Sequence, residues 1–265
     1  MKVSVITVVY NDVEGLKRTI PSVLNQRSND YEYIILDGGS TDGTLEYLSS
    51  LSIKGKIKSE PDTGIYNAMN KAANMAEGAY VLFMNAGDTF YDHDVLSRAI
   101  PLLGDADLYV GHTIERGGEQ DLIGKAPARL SVRYLVEHSI YHQSTFIRTS
   151  LLRQHPYNEG LKIVSDWEFF FEQWLKGCTY KQLNFFISNY YLGGFSFQHK
   201  ELLEQERNEV ISRLLPQRLI DDFVYEAESK TKLEEKIEIA MTLPPIQRDL
   251  KILRNAFKWL MSDIF

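Results

Sequence analysis

The chain has few of the features that stabilise secreted proteins or anchor proteins in membranes. Its one cysteine, Cys178, cannot form an internal disulfide, which fits a reducing compartment. No apolar run approaches the roughly 20 residues that a transmembrane helix needs. The first apolar stretch, Val3–Val9, follows a single lysine, has no small-residue cleavage site and ends in Tyr-Asn-Asp. This pattern indicates a buried strand rather than a signal peptide.

An excess of basic residues is also missing. The 29 Lys and Arg residues are outnumbered by 36 Asp and Glu residues, which gives a net charge of -7. We therefore expect no nucleic acid among the partners, because phosphate contacts need a basic face. The 265 residues are 44% hydrophobic and 25% charged, as in ordinary globular proteins. One large domain, alone or with an appendage, is expected at roughly 100–200 residues per domain.

Short β-rich runs alternate with helical patterns over the first 110 residues. This alternation predicts an α/β fold with a mixed, mainly parallel sheet flanked by helices. Predicted strands cover 3–9, 33–36, a short piece at Ile57, 80–84 and 108–110. Predicted helices cover 13–24, where Pro21 predicts a kink or an early end, then 44–51 with Thr41 or Asp42 as N-cap, 65–76 and 95–100.

The pattern changes after about Gly111. Residues 115–121 are predicted to be a loop or hairpin tip, 145–148 a strand and 166–175 an aromatic helix. From about residue 200 onward the chain is charged, poor in glycine and predicted to be helical. Pro216 and Pro244-Pro245 divide that region into three pieces.

Three clusters of polar and flexible residues directly follow predicted strands: the first cluster (10–12), the second cluster (37–44) and the third cluster (85–88). Ligands bind beyond the carboxyl ends of strands in open α/β sheets. One such cluster alone would suit an ordinary turn, but three at successive strand ends favour a binding site. The second cluster has neither the lysine of a P-loop nor the Gly-x-Gly-x-x-Gly fingerprint. Asp37 is instead suited to accept hydrogen bonds from a base or ribose.

Asp88, in the third cluster, places one carboxylate after a buried strand. Mg²⁺ and Mn²⁺ prefer oxygen ligands and often take only one or two protein carboxylates, with substrate phosphates and water completing the shell. A lone aspartate after a strand is more often a turn residue. Asp88 is therefore a candidate metal ligand and a candidate turn residue from its own pattern.

Four segments together resemble the family 2 glycosyltransferases of the GT-A fold. They are Val-Ser-Val-Ile-Thr-Val-Val-Tyr-Asn at 3–11, Leu-Asp-Gly-Gly-Ser-Thr-Asp-Gly-Thr at 36–44, Asn-Ala-Gly-Asp at 85–88, and Glu-Pro-Asp-Thr-Gly-Ile-Tyr-Asn-Ala-Met-Asn-Lys at 60–71. The last segment resembles the bacterial branch that builds exopolysaccharides such as colanic acid and O-antigens. The similarity covers roughly residues 1–195.

The resemblance implies a GT-A domain over 1–198, with a nucleotide-sugar-binding half (1–111) and an acceptor half (112–198). The remaining residues, 199–265, would form a helical C-terminal extension. The resemblance also implies a set of residues that bind the nucleotide sugar: Val8, Tyr10, Asp37, Asp62, Asn70, Lys71, Asn85, Ala86 and Gly87. Asp88 would hold Mn²⁺ or Mg²⁺ on the donor diphosphate, although Asn85 and Gly87 stand where the family often has acids.

The resemblance places the acceptor in the second half of the chain. His142, Gln143, Trp167 and Glu168 would lie on the acceptor side, and Asp166 would be the catalytic base. Each has a structural alternative. His142 could be a hydrogen-bonded structural histidine, Glu168 a solvated acid at a helix start, and Trp167 a core residue.

The resulting hypothesis is an inverting, metal-dependent transfer from a UDP- or GDP-sugar to a saccharide or lipid-linked acceptor in bacterial surface polysaccharide synthesis. It places the protein in the cytoplasm, free or at the inner face of the membrane. The alternative is a non-catalytic nucleotide-sugar-binding subunit of a polysaccharide assembly complex, which the weakened acidic motif favours. A sugar nucleotidyltransferase would need a Gly-rich, basic phosphate loop that residues 10–14 do not offer.

The last 15 residues, 251–265, form an amphipathic pattern with Lys251, Arg254 and Lys258 on one face. Docking on the catalytic domain or on a partner is one interpretation, and peripheral contact with an anionic membrane is the other. Self-association is left open by the sequence.

Overall fold

The architecture is a nine-stranded mixed sheet with helices packed against it. The computed structural model describes residues 2–118, 120–194 and 198–241. The strands are β1 (Val3–Val9), β2 (Tyr31–Asp37), β3 (Lys56–Ser59), β4 (Tyr80–Phe83), β5 (Thr89–Phe90), β6 (Leu108–Arg116), β7 (Leu122–Gly124), β8 (Thr145–Arg148) and β9 (Tyr180–Tyr191). Their order across the sheet is β3-β2-β1-β4-β8-β6-β9-β5, and β7 pairs with β6.

The helices differ widely in length. They are α1 (Val13–Leu24), α2 (Thr44–Ser50), α3 (Ile65–Met75), α4 (Val95–Ala99), α5 (Val132–Glu137), α6 (Thr149–Gln154), α7 (Ser165–Leu175), α8 (Lys200–Leu214) and α9 (Gln217–Met241). Two 3₁₀ turns occupy Ile100–Leu102 and His142–Ser144.

The central strands carry continuous apolar runs because both of their faces are covered. Every residue of β1 and of β4 is buried. This explains why these strands are rich in apolar residues on both faces instead of alternating polar and apolar residues. The predicted mixed α/β sheet is confirmed. Its parallel pairs join β1, β2, β3 and β4, and β8 adds antiparallel pairs to β4 and β6.

The strand register brings the ends of the first strands to one edge of the sheet. Val9 at the end of β1 pairs with Asp37 at the end of β2, and Ile6 pairs with Phe83 at the end of β4. The three polar clusters follow these strands directly. Parallel pairing therefore gathers the clusters at a single edge.

Local details differ from the sequence expectations. Pro21 does not end α1, which continues to Leu24. The N-cap of α2 is Gly43, with φ of 95°, instead of Thr41 or Asp42. The Asp42 carboxylate still accepts from the Thr44 N–H at 3.1 Å, and it also accepts from the Val13 N–H at 3.0 Å.

The chain divides into two compact units, one over residues 1–210 and one beginning at Ile211. The predicted boundary between halves at 111 and 112 falls inside β6, and residues 199–210 belong to the first unit. The domain assignment stays a prediction. In the part of the chain that the structure describes, no helix combines the length and apolarity needed to cross a membrane. The amphipathic segment 251–265 lies outside the described residues.

Candidate active site

The first and second clusters are joined by backbone-to-side-chain hydrogen bonds. Asn11 adopts a positive φ of 50° and donates its backbone N–H to Ser40 Oγ at 2.7 Å. In return, Asn11 Oδ1 accepts from the Thr41 N–H at 2.8 Å. Asn is one of the few residue types that adopt this backbone conformation at low cost. These hydrogen bonds therefore hold the first and second clusters against each other at the ends of β1 and β2.

The third cluster is hydrogen-bonded to the end of β1 and to α1. The Ala86 N–H donates to the Val8 carbonyl at 3.2 Å, and the Gly87 N–H donates to Thr19 Oγ1 at 3.0 Å. The Thr19 hydroxyl donates to the Asp88 carbonyl at 2.7 Å. Gly87 has φ of 100°, a conformation that suits glycine. These contacts bring Val8, Ala86, Gly87 and Asp88 together; their binding of a nucleotide sugar or a metal stays a prediction.

Asp37 is fully buried at the centre of this edge. Its Oδ2 accepts from the Gly39 and Ser40 N–H groups at 3.1 Å each, and from Ser59 Oγ at 2.7 Å. The Asp37 carboxylate therefore stabilises the loop that follows β2. A contact between Asp37 and a nucleotide stays a prediction.

Tyr10, Gly38 and Asp62 form a slot beside this loop. A Cβ atom on Gly38 would lie 2.3 Å from Asp62 Oδ2 and 3.3 Å from Tyr10 Cδ2. Asp62 Oδ1 accepts from the Gly64 N–H at 2.9 Å, which fixes its orientation. The Tyr10 ring is 63% exposed and is thus free to stack on a planar ligand.

Asn70 and Lys71 anchor loops around the site. Asn70 is buried and exchanges hydrogen bonds with Tyr157, with its Nδ2 2.9 Å from the carbonyl and its Oδ1 2.9 Å from the N–H. Lys71 Nζ donates to the Pro61 carbonyl at 2.9 Å and lies 3.7 Å from Glu60. Direct contact of Asn70 or Lys71 with a donor sugar stays a prediction.

Asp88 is a buried carboxyl with charged neighbours. Burial raises the pKa of Asp88 to about 7, while the His142 imidazole, the Tyr191 backbone N–H and the Arg18 guanidinium oppose the shift. Beside Asp88, Asn85 Oδ1 is buried and has no hydrogen-bond partner among the described residues.

These features fit a divalent cation held mainly by substrate oxygens. Among the described residues, no group of three or more His, Cys, Asp or Glu side chains could enclose a metal by itself. Asp88 and the unpartnered Asn85 Oδ1 provide the hard oxygen ligands that Mg²⁺ and Mn²⁺ prefer. A donor diphosphate would have to supply the rest of the shell.

His142 lies between Asn85 and Asp166. Its Nδ1 lies 2.7 Å from Asp166 Oδ2, and its Nε2 lies 3.3 Å from Asn85 Nδ2. Burial by itself would lower the pKa of His142, but the Asp166 hydrogen bond and the charges of Asp166 and Asp88 raise it above the ordinary value. His142 is therefore hydrogen-bonded to both Asn85 and Asp166, and the charge of Asp88 acts on its imidazole.

Asp166 has donors at both carboxylate oxygens. The Tyr66 hydroxyl lies 2.9 Å from Oδ1, opposite His142 at Oδ2. Burial by itself would raise the pKa of Asp166, but the His142 and Tyr66 hydrogen bonds and the imidazole charge lower it below the ordinary value. Asp166 thus stays ionised near neutral pH, as a general base must.

The other predicted acceptor-side residues are more deeply buried. Gln143 and Trp167 are each 2% exposed, and Trp167 Nε1 donates to the Leu135 carbonyl at 2.7 Å. Glu168 is 5% exposed and accepts from Asn158 Nδ2 at 3.4 Å. Acceptor contacts by these residues stay predictions.

Sequence reasoning missed Tyr66, Arg18 and the Tyr191 backbone at this site. Tyr66 lies in the quoted segment 60–71, so the resemblance could have indicated it. Arg18 is an exposed residue of α1 whose guanidinium lies 5.4 Å from the Tyr191 ring centroid. No local motif marks Arg18 or Tyr191, because their relation to Asp88 depends on how α1 and β9 pack.

The polar clusters at the ends of the parallel strands, with Asp166 reached through His142, agree with one comparison in particular. The model for "Glycosyl transferase family 2" matches residues 4–165. The chain belongs to this family. It is therefore a nucleotide-sugar-dependent glycosyltransferase.

Known proteins resemble the chain at the levels of sequence and of fold. A PGL/p-HBAD biosynthesis glycosyltransferase of Mycobacterium bovis is 32% identical over 180 residues, which cover 63% of this chain and 67% of that protein. The crystal structure of S. aureus TarS 1-349 in complex with UDP-GlcNAc has a TM-score of 0.65 at 20% identity, over 85% of this chain and 71% of that chain. The mannosyltransferase PcManGT from Pyrobaculum calidifontis, in complex with GDP-Man and Mn2+, has a TM-score of 0.61 at 15% identity, over 98% and 80%. These two structures share the GT-A fold with this family 2 glycosyltransferase.

Proposed function

We propose that this glycosyltransferase moves a sugar with inversion from a UDP- or GDP-sugar to a hydroxyl of a saccharide or lipid-linked acceptor. The observation that carries the proposal is the bridge from Asn85 through His142 to Asp166, with the Asp88 carboxyl within the electrostatic reach of His142. One end of this bridge suits a diphosphate, and the other suits a reacting hydroxyl. Surface polysaccharide synthesis in bacteria is the proposed setting, on the resemblance of residues 60–71.

Asp88 and Asn85 would hold Mn²⁺ or Mg²⁺ together with the donor diphosphate. When bound, such a cation supplies positive charge to the leaving diphosphate. The complexes of neighbours with UDP-GlcNAc, and with GDP-Man and Mn2+, support this choice of ligands. The exposed Arg18 guanidinium would add a second positive charge on the same side.

Asp166 would take the proton of the acceptor hydroxyl as its oxygen attacks the anomeric carbon. A single displacement inverts the anomeric centre and needs one base and no covalent nucleophile. The Tyr66 and His142 hydrogen bonds orient the carboxylate and keep it ionised until the proton arrives. Asp166 suits this role better than Glu168, since Asp166 receives the His142 and Tyr66 hydrogen bonds and Glu168 is more deeply buried.

The test is a panel of UDP- and GDP-sugars, each incubated with the protein and Mn²⁺ and followed by release of UDP or GDP. One donor should be hydrolysed slowly in the absence of an acceptor, and chelation of the metal should stop the release. Membrane lipid extracts and oligosaccharides, added to that donor, would then show which class of acceptor accelerates the reaction. No Mn²⁺-dependent binding or turnover of any donor would contradict the proposal.

The base assignment is tested with two isosteric variants. Asp166→Asn should bind the donor normally and transfer about 10²–10⁴-fold more slowly, which is the usual cost of losing a general base. Glu168→Gln is the matched control on the same helix and should keep most of the activity. An inactive Glu168→Gln beside a nearly normal Asp166→Asn would move the base by two residues.

A further inference from the structure

Glu206 of α8 is a buried carboxylate that binds three successive backbone N–H groups. Oε1 accepts from Lys162 at 2.7 Å, and Oε2 accepts from Ile163 at 2.9 Å and from Val164 at 3.2 Å. The residue is 6% exposed. Hydrogen bonds to an ionised acceptor are stronger than neutral ones, and loss of the acceptor would leave buried N–H groups unpaired.

The segment that Glu206 holds leads directly to the proposed base. α7 begins at Ser165, one residue after Val164, and Asp166 is the second residue of that helix. The single proton of the Tyr66 hydroxyl is shared between the Ile163 carbonyl, at 2.5 Å, and Asp166 Oδ1, at 2.9 Å. The position of this short segment therefore sets the positions of both Tyr66 and Asp166.

Arg207, the next residue of α8, fixes the other side of the base. Its guanidinium donates to the Val136 carbonyl at 2.9 Å and to Ser139 Oγ at 3.0 Å, and lies 4.3 Å from the centroid of the Trp167 ring. A cation over an indole face is an attractive arrangement. Two neighbouring residues of α8 thus hold the chain before and after Asp166.

We propose that Glu206 is a positioning residue for Asp166, an inference that rests on the proposed function. The family match ends at residue 165, so the part of the chain beyond it contributes to the active site through this contact. Glu206 itself does not touch the reacting atoms. It sets the start of α7 so that the Asp166 carboxylate meets His142 and Tyr66 in the geometry that proton transfer requires.

The test compares Glu206→Gln with Glu204→Gln, a control at an exposed position of the same helix. The amide keeps the shape of Glu206 but replaces one acceptor oxygen by an NH₂ group facing N–H donors. We expect kcat for Mn²⁺-dependent donor hydrolysis to fall about ten- to hundredfold, since small displacements of a reacting group have effects of this size. The dissociation constant for UDP or GDP with Mn²⁺ should change less than twofold. Glu204→Gln should match the wild type in both.

Hydrogen exchange gives a readout that does not depend on turnover. The amides of Ile163 and Val164 should exchange at least about tenfold faster in Glu206→Gln, in line with the loss of about one hydrogen bond, and at the wild-type rate in Glu204→Gln. Unchanged exchange at these amides would overturn the proposal. So would a loss of cooperative unfolding in both Glu206→Gln and Glu206→Asp, because Glu206 would then be a residue of general stability.

The variants also separate this inference from the proposed function. Glu206→Gln should slow Asp166→Asn little further, because both changes act on the same step. If Asp166→Asn is inactive and Glu206→Gln turns over at the wild-type rate, the positioning role is wrong and the base assignment survives. If Asp166→Asn turns over normally, the base assignment is wrong, and the positioning role falls with it.

Discussion

The hydroxyl of Tyr66 lies 2.9 Å from Oδ1 of Asp166, a residue 100 positions later in the chain. Burial raises the pKa of Tyr66 well above its ordinary value, and the Asp166 charge raises it further. The phenol therefore remains protonated and acts as a hydrogen-bond donor. Against the effect of burial, the Tyr66 hydrogen bond helps to lower the pKa of Asp166, although the two residues lie in different sequence segments.

Removal of that hydroxyl should slow the chemical step selectively. Tyr66→Phe keeps the ring but deletes the donor, which is worth about 1 kcal/mol or a few-fold to tenfold in kcat. The KM for the donor should stay near the wild-type value, because the ring and its packing remain. Tyr225→Phe is the control, since Tyr225 is 73% exposed on α9. A rise in KM without a fall in kcat would mean that Tyr66 binds substrate instead.

Asp88→Asn should separate stability from metal-dependent binding. Burial disfavours the charged carboxyl and raises its pKa to about 7, so a neutral amide of the same shape should stabilise the metal-free protein at pH 7 and above. A gain of about 1 kcal/mol corresponds to a rise of about 2–4 °C in the midpoint of thermal unfolding in EDTA. Calorimetry should show that Mn²⁺ no longer increases UDP or GDP affinity. Preserved Mn²⁺ enhancement would remove Asp88 from the metal site.

Gly38→Ala should weaken nucleotide binding through a steric effect. The added Cβ would lie 2.3 Å from Asp62 Oδ2 and 3.3 Å from Tyr10, so the slot between these residues must open. Gly104→Ala is the matched control, because a Cβ at Gly104 would meet no atom within 4 Å. Equilibrium titration with UDP and GDP should show at least about a tenfold loss for Gly38→Ala alone, which is a change of 1.4 kcal/mol. Equal affinities would place the nucleotide outside this slot.

Cys178 should react slowly with alkylating reagents at neutral pH. Burial raises the pKa of its thiol to about 12, and the Asp107 charge adds to the shift. Since the thiolate is the reactive form, alkylation by iodoacetamide at pH 8 should be at least about a hundredfold slower than in the urea-unfolded chain. The native rate should continue to rise as the pH passes 9, where an ordinary thiol levels off. Rapid alkylation at pH 7 in the folded protein would contradict this.

The strands that the sequence predicted best are those buried on both faces. β1 and β4 are buried along their whole length and β2 over its last five residues, so their apolar side chains mark them in the sequence. β9 (Tyr180–Tyr191) was not predicted, because its residues vary between buried and exposed and include Lys181, Asn184 and Asn189. β5, β7, α5 and α6 have six residues or fewer, too short for a periodic pattern to be detected.

The site likewise has one part that the local sequence predicts and another that it does not. The clusters at the strand ends follow from the chain itself, because parallel strands bring their carboxyl ends together. The contacts of Asp166 do not, because Tyr66 and His142 reach it from separate elements, 100 and 24 residues away in sequence. Glu206 is 43 residues beyond Ile163 and belongs to a region without a recognised motif. Side-chain partners at such separations are set by tertiary packing rather than by local pattern.

The place of β8 in the sheet constrains the order in which the protein can assemble during synthesis. Ile147 pairs with Val81 of β4 on one side and with Leu108 of β6 on the other. β4 and β6 are both synthesised before β8, so β4 and β6 cannot be joined in one sheet until β8 has been added between them. In a nascent chain that stops before Thr145, the edges of β4 and β6 that pair with β8 would be exposed, and unpaired strand edges are sites of aggregation. The loop that β8 must close is long, so sheet completion should be a late and slow event on the folding pathway.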